Sequence, residues 1–242
     1  MDFTILIQLF LAHVIADFIL QPNHWVEQKK QKLIKSPYFW LHIGIVTFLS
    51  YLFVGDWDDW MIPLTIFVTH GIIDFTKLRL DRLKIVGSMT LFSLDQIAHL
   101  LVIIAIWLYT QQNVGDFSLN ISSENIQIMW IMTTAIITLT TPIGIVIGKF
   151  VEPFRKKVAP TDSLKNAGKY IGIFERLLIF IFILLNQYSA IGFLLASKSI
   201  LRISKDSDKN ARKKTEYVLV GTLISFFSAI VISLITKYLI GI

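Results

Sequence analysis

Long apolar stretches alternate with short polar segments along the whole chain. An α-helix rises about 1.5 Å per residue, so roughly 20 apolar residues cross the hydrocarbon layer of a bilayer. The pattern therefore predicts an all-α fold, a polytopic helical membrane bundle of seven or eight helices. The predicted helices lie near residues 3–20, 39–55, 60–76, 86–109, 126–148, 171–187, 190–202 and 217–240.

Two of the predicted helices are expected to be irregular. The segment 190–202 has only 13 residues, so it is interpreted as a half-helix, a re-entrant segment or the continuation of a longer broken helix. If this segment crosses, the C-terminus lies outside; if it does not, the C-terminus is cytoplasmic. Pro142 is predicted to kink the helix 126–148. The first helix, 3–20, is expected to be retained rather than cleaved as a signal, because no basic segment precedes it.

The composition supports a membrane protein. Of the 242 residues, 54% are hydrophobic and 17% are charged, whereas a soluble domain usually carries about 25% charged residues. This argues against a soluble globular enzyme, a nucleic-acid-binding domain and a disordered chain. Since the chain contains no cysteine, disulfides and thiolate metal sites are excluded.

The basic residues indicate an orientation. The formal net charge is +6, and 20 of the 23 Lys and Arg residues fall in four segments, which the positive-inside rule assigns to the cytoplasm. The polar segment 111–125 has no basic residue and is predicted to be an extracytoplasmic connector between two domains, 1–110 and 126–242. The basic segments are 21–38, 76–85, 149–170 and 202–215.

An internal repeat is visible in the first domain. The sequence A-H-V-I-A-D-F contains His13 and Asp17, and T-H-G-I-I-D-F contains His70 and Asp74, 57 positions later. His42 and His99 keep the same offset. Both helical hairpins are predicted to begin outside, so the repeat is parallel, with a pseudo-two-fold axis along the membrane normal that would bring the two His/Asp pairs together.

Three predicted helices carry a His and an Asp four residues apart, the third pair being Asp95 and His99. Residues at i and i+4 share a helix face, and an ionised Asp at mid-helix costs about 2.5–3.5 kcal/mol on insertion scales. The groups either satisfy one another by hydrogen bonds, serve as a proton or cation relay, or hold a divalent metal. Imidazole and carboxylate are common ligands of zinc, with manganese and iron as alternatives.

We predict a metal centre, with zinc as its ion. Seven candidate ligands exceed the needs of one zinc ion, so the prediction allows either a dinuclear centre or direct ligands with supporting hydrogen-bond partners. His42 and His99 are interpreted either as direct ligands or as supporting hydrogen-bond partners. The direct ligands are predicted to be His13, Asp17, His70, Asp74 and Asp95.

The second domain carries its own polar residues. Glu175 and Arg176 are adjacent, and Lys198 and Arg202 are four residues apart. One interpretation is structural: the cations extend to the membrane surface along their apolar stems. The functional hypothesis is an anion clamp, in which Arg176, Lys198 and Arg202 bind a phosphate or carboxylate of a substrate near the metal.

The motifs L-A-H-V-I-A-D-F-I-L-Q, T-H-G-I-I-D and L-D-Q-I-A-H-L, with the lone His42, resemble the bacterial membrane family catalogued as domain of unknown function 3307. The second half, with G-K-Y-I-G-I-F-E-R and A-I-G-F-L-L-A-S-K-S, resembles the C-terminal extension of its longer members. The resemblance implies a multi-pass protein of the bacterial inner membrane. In residue types alone, the His and Asp residues are also similar to those of membrane-bound metal-dependent hydrolases.

The expected function is a metal-dependent hydrolase of a lipid or other membrane-associated anionic substrate, approached from the cytoplasm. The metal would supply an activated water, and Asp95 or Glu175 would act as general base or acid. A transporter of a divalent metal or protons through the same cluster is the alternative, and a structural membrane protein is a third class. The expected partners are membrane lipids and no nucleic acid; self-association into a homo-oligomer stays open.

Overall fold

The computed structural model describes residues 3–112, 124–155, 167–201 and 209–242, and their regular secondary structure is entirely helical. This confirms the predicted all-α class. In chain order the helices are α1 Thr4–Phe18, α2 Asn23–Lys32, a 3₁₀ turn Leu33–Lys35, α3 Pro37–Val54, α4 Met61–Leu83, α5 Ser88–Gln112, α6 Glu124–Leu139, α7 Thr141–Arg155, α8 Ala167–Leu184, α9 Tyr188–Leu201 and α10 Lys209–Leu239.

In the part of the chain that the structure describes, five stretches of helix are long and apolar enough to cross a membrane: α3, α4, α5, the α6–α7 stretch Glu124–Arg155, and Thr215–Leu239 within α10. A sixth is added if α1 and the following segment Asn23–Lys35, which is bent from it by 82°, count together. Helices α8 and α9 are not among them, because α8 carries Lys169, Glu175 and Arg176, and α9 has 14 residues.

The basic segment 21–38 contains a helix that hydropathy alone does not reveal. Pro22 has an extended backbone and immediately precedes helix α2. Helix α2 contacts α3 and α4. Its sequence N-H-W-V-E-Q-K-K-Q-K is polar, so it is not recognised as an apolar run. The next helix, α3, begins at Pro37, where the missing N–H costs nothing, and it ends before Gly55, whose positive φ of 71° suits a residue without a side chain.

The chain forms two compact units, Met1–Trp130 and Ile131–Ile242. In the first unit α1 contacts α3 and α5, and α4 contacts the same two helices, so the four helices form a closed ring. An apolar core fills one part of this ring, and the predicted metal-ligating residues lie in another part. The core residues are Leu9, Ala16, Val46, Val54, Ile62, Ile66, Ile103 and Ile106.

In the second unit α10 packs against α7 and α8, and α9 packs against α8. The helix predicted over 126–148 is interrupted at Thr140, two residues before Pro142. The Arg176 guanidinium donates hydrogen bonds to the carbonyl oxygens of Leu139 (2.5 Å) and Thr140 (2.8 Å) and to the Ser225 hydroxyl (3.2 Å). A neighbouring helix thus stabilises the backbone at the interruption.

Candidate metal centre

The seven predicted ligands meet inside the first unit. They come from α1, α3, α4 and α5, and each of their side chains is at most 7% exposed. Buried imidazoles and carboxylates need partners or a cation, because water cannot solvate them there. The seven residues are His13, Asp17, His42, His70, Asp74, Asp95 and His99.

Three ligand atoms form a compact triangle. His42 Nε2 lies 3.1 Å from His70 Nε2 and 3.4 Å from Asp17 Oδ1, and His70 Nε2 lies 3.8 Å from Asp17 Oδ1. Zinc binds imidazole nitrogen and carboxylate oxygen at about 2.0–2.2 Å, so adjacent ligand atoms of a tetrahedral site are roughly 3.3–3.5 Å apart. The three atoms therefore have the spacing of one face of a tetrahedral site.

A close approach of α3 and α4 produces this triangle. Gly71 follows His70, and a Cβ atom built on it would lie 3.3 Å from the Ile43 Cδ1 atom. Ile43 itself follows His42. The glycine therefore lets α4 approach α3 closely at the level where the two imidazoles meet.

Asp17 supplies the most distinctive donor atom. Its Oδ1 atom lies 3.6 Å from His13 Nδ1, in addition to the two contacts above, but no hydrogen bond to it is found among the described residues. Leaving a buried carboxylate oxygen without a partner costs about 1–3 kcal/mol or more. A cation at the triangle would satisfy this oxygen, so the donor set fits a divalent ion.

A second cluster of possible ligands contains carboxylates that are already paired with lysines. Asp74, Asp95 and His99 could also hold a metal by their spacing. However, Lys29 Nζ lies 2.8 Å from Asp74 Oδ2, and Lys77 Nζ lies 2.6 Å from Asp95 Oδ2. A metal at this position would compete with two ammonium groups, whereas the ion-pair contacts of Asp17 among the described residues are with imidazoles. The structure therefore favours the Asp17 triangle for the ion.

Equivalent positions of the sequence repeat make equivalent His–Asp contacts within the centre. His42 Nε2 lies 3.4 Å from Asp17 Oδ1, and the residues 57 positions later, His99 and Asp74, repeat the contact at 3.8 Å between the same atom types. The two hairpins therefore supply matching His–Asp pairs to one centre.

The charges do not follow the repeat. Asp95 corresponds to Tyr38, and Lys77 corresponds to Leu20, at the same offset of 57. The extra carboxylate and its lysine therefore belong to the second hairpin alone.

Sequence reasoning missed three polar residues of the centre: Lys29, Lys77 and Gln96. Gln96 Nε2 donates to Asp95 Oδ2 (3.0 Å), and its Oε1 atom lies 3.3 Å from His13 Nε2. The spacing of Lys77, three residues after Asp74, could have placed it on the same helix face. No sequence pattern could have identified Lys29, because its helix α2 reaches the four-helix ring through a bend in the chain that depends on tertiary packing.

A small cavity adjoins the imidazoles of His13, His70 and His99. Its volume is about 20 Å³, which is room for roughly one water molecule. Ser50 and Thr69 contribute polar atoms to its wall, and apolar residues form the remainder. The cavity can therefore hold a water or a small ion beside the centre.

The other predicted site residues belong to the second unit. Glu175 Oε2 accepts a hydrogen bond from Lys198 Nζ at 2.6 Å. The contacts of Arg176 with the α6–α7 interruption give it a structural role, so substrate binding by Arg176 and Lys198 stays a prediction. Arg202 lies outside the described residues, as does most of the connector 111–125.

The sequence profile of the family described as Protein of unknown function (DUF3307) matches residues 5–128. This match covers slightly more than half of the chain and includes all seven buried His and Asp residues. The chain therefore belongs to this family, which confirms the resemblance seen in the motifs of its first half. No curated protein and no solved structure matches the chain significantly.

Proposed function

We propose that this member of the DUF3307 family is a metal-dependent hydrolase embedded in the bacterial inner membrane. Its substrate is a lipid or another membrane-associated anion, reached from the cytoplasmic side. The observation that carries the proposal is the triangle of Asp17 Oδ1, His42 Nε2 and His70 Nε2, with separations of 3.1–3.8 Å. Three protein ligands are typical of catalytic zinc sites, which keep a position open for water or substrate, whereas structural sites use four.

The donor types support zinc, with manganese or iron as alternatives. Two imidazoles and one carboxylate form a ligand set used by zinc hydrolases. When bound, such an ion activates water and polarises the bond to be cleaved. The protein holds the ligands in a buried site, where electrostatic interactions are stronger than in water.

Asp95 is the best-supported general base. Its Oδ2 atom accepts hydrogen bonds from Lys77 and Gln96, whereas its Oδ1 atom faces His99 Nε2 at 3.6 Å and has no hydrogen-bond partner among the described residues. The bonds to Oδ2 hold the carboxylate in place, and Oδ1 is left to accept a proton. Glu175, the second candidate, is paired with Lys198 in the other unit.

The basic segments support access from the cytoplasmic side. Asp17 is the last residue but one of α1, immediately before the segment that carries α2. Lys77 reaches Asp95 from the basic end of α4, and its side chain is 32% exposed. The positive-inside rule places such basic ends in the cytoplasm.

The burial of the His/Asp centre favours one alternative function, a transporter of divalent metal ions or protons. The adjoining cavity of about 20 Å³ admits water or an ion and no headgroup. Transport predicts that vesicles containing the purified protein take up Zn²⁺ or Mn²⁺ down a gradient. The hydrolase predicts no such uptake, together with cleavage of a membrane-associated substrate.

Elemental analysis of the purified protein in detergent tests the metal. We expect about one divalent ion per chain, lost in Asp17→Ala and His70→Ala. His24→Ala is the matched control, because His24 is exposed on α2 and contacts the rings of Trp25 and Tyr38. Equal metal content in all four proteins would refute the metal centre and the hydrolase with it.

A further inference from the structure

The His/Asp centre is closed to solvent. Each of its seven side chains is at most 7% exposed, and the adjoining cavity of about 20 Å³ has room for roughly one water molecule. Neither a hydrated metal ion nor a lipid headgroup can reach the ligands through a space of this size. Entry to the centre therefore requires that an element around it move away.

Helix α2 lies across one end of the centre. The segment Asn23–Lys35 is bent by 82° from α1, so it runs almost perpendicular to the helix that carries His13 and Asp17. Helix α2 contacts α3 and α4. From α2, Lys29 extends into the centre, where its Nζ atom lies 2.8 Å from Asp74 Oδ2 and its side chain is 4% exposed. Helix α2 therefore covers the centre at the end where Asp74 lies.

Helix α2 makes few buried apolar contacts. Among its ten residues, all of which the structure describes, Lys29 alone is buried. The half-buried ring of Trp25 stacks on the half-buried ring of Tyr38, and Ser36 Oγ donates a hydrogen bond to Gln28 Oε1 (2.8 Å). Elements with few buried apolar contacts open at a lower free energy than the core of a protein. Helix α2 can therefore separate while the four-helix ring stays packed.

Polar contacts with the end of α4 hold α2 in the closed position. Arg82 Nη2 donates to the carbonyl oxygens of Lys30 (3.1 Å) and Gln31 (2.6 Å). Lys30 Nζ lies 2.8 Å from Asp81 Oδ2, in an ion pair that is exposed to solvent. Water can replace exposed contacts of this kind at a small cost in free energy. These contacts form a latch that can open and close again.

The chain can turn at both ends of α2. Residues 19–22 separate it from α1 and are not helical. At the other end Leu33 has a φ of 53°, which is uncommon for a residue with a side chain. Leu33 also anchors this end of the segment to α3 and α4, because it packs against Phe39, Ile43 and Leu78. The two ends can therefore serve as hinges for the helix between them.

We propose that α2 is a lid, which must open at these two hinges before a metal ion or a substrate enters the centre. The closed lid places the ammonium group of Lys29 beside Asp74, and the open lid leaves that carboxylate to water and to the entering ligand. The entry of substrate rests on the proposed function. The lid itself can be tested with Zn²⁺ alone and without any metal.

A reversible bridge tests whether the lid controls the exchange of metal. Because the chain contains no cysteine, Lys30→Cys and Asp81→Cys together place a single pair of thiols at the exposed ion pair. This variant is loaded with Zn²⁺, bridged with a short bifunctional methanethiosulfonate and mixed with excess fluorescent zinc chelator. We expect Zn²⁺ release at least about tenfold slower than from the same variant capped with methyl methanethiosulfonate. A reducing agent that opens the bridge should restore the rate.

A bridge between Asp56→Cys and Asp59→Cys is the matched control. Asp59 N donates a hydrogen bond to Asp56 Oδ1 (3.3 Å), so the two residues are close together. They lie in the segment that precedes α4, whereas Asp81 lies near the other end of that helix. This bridge should leave the rate of Zn²⁺ release unchanged.

A second measurement needs no metal. Ser36 is fully buried beside Gln28 of α2, so the thiol of Ser36→Cys should react with a charged alkylating reagent only when α2 moves away. Adding Arg82→Gln, which removes two hydrogen bonds to α2, should raise the alkylation rate at least about threefold. Arg79→Gln, on an exposed residue of the same helix, is the control and should leave the rate unchanged.

The outcomes separate the lid from the metal centre. If Zn²⁺ binds and the bridge between α2 and α4 does not slow its release, the lid is refuted and the metal centre stands. Equal alkylation rates with and without Arg82→Gln also refute the lid. If the wild-type protein binds no Zn²⁺, the metal centre fails, whereas faster alkylation with Arg82→Gln still supports the lid.

Discussion

The Nε2 atoms of His42 and His70 lie 3.1 Å apart in the buried centre of the first unit. Two imidazole nitrogens at this distance need either one proton between them or a cation that accepts both lone pairs. Asp17 Oδ1, which has no hydrogen-bond partner among the described residues, lies within 3.8 Å of both. A cation accounts for all three atoms, whereas a single proton leaves the carboxylate oxygen unsatisfied.

Asp17→Asn should abolish tight metal binding with little change in shape. The amide is nearly the same size as the carboxylate but carries no charge, and it is a much weaker ligand. Loss of a residue that only supports a metal ligand costs about 10–100-fold in affinity, so we expect loss of a direct ligand to cost at least about 100-fold. Competition with a fluorescent zinc chelator measures the change.

The control for that variant is Asp56→Asn, in the segment between α3 and α4. It removes the same charge away from the centre and should leave zinc affinity unchanged. Equal affinities of the Asp17 and Asp56 variants would show that the triangle is not the metal site.

Asp95→Asn should separate chemistry from metal binding. If Asp95 is the general base, its amide variant should lower kcat by about 10²–10⁴-fold, while zinc content stays near one ion per chain. The measurements are hydrolysis of an anionic membrane lipid in mixed micelles and elemental analysis of the same samples.

Glu175→Gln tests the other predicted acid or base. Glu175 is paired with Lys198, so this variant should retain more activity than Asp95→Asn. The reverse order of activities would assign the base to Glu175 and remove Asp95 from that role.

Arg176→Gln should destabilise the second unit. Each charge-assisted hydrogen bond to Leu139, Thr140 or Ser225 contributes about 1.5–3 kcal/mol, so we expect a clear fall in the free energy of unfolding in detergent. Arg176→Lys should restore little of it, because one compact ammonium group cannot reproduce the fork of the guanidinium. Arg155→Gln, on an exposed residue of α7, is the control and should have a small effect.

Arg82→Gln should loosen α2. The guanidinium of Arg82 binds carbonyl oxygens near the end of that helix, and without it these groups lose their partner. Amide hydrogen exchange over residues 23–35 should become faster than in the wild-type protein, whereas exchange in α5 should not change. Unaltered exchange over 23–35 would mean that other contacts hold α2 in place.

The sequence and the fold agree where the controlling interactions are local. Apolar runs and helix-compatible spacing are sufficient to predict the all-α class, and Pro142 lies two residues after the interruption at Thr140. Short-range motifs also identify the family, because residues four positions apart on a helix keep a recognisable pattern. The structure instead favours Asp17, His42 and His70 for the ion, whereas the sequence led to five predicted direct ligands without His42. The patterns could not make this choice, since all seven candidates share the same residue types and similar spacing.

The sequence by itself determined that imidazoles and carboxylates recur on one face of several helices, because helical periodicity is a local property. Only the tertiary structure decided which carboxylates pair with lysines. Lys29 and Asp74 are 45 residues apart and meet because the chain bends by 82° between α1 and α2. Such a contact depends on how whole helices pack, and no local pattern of residues records it.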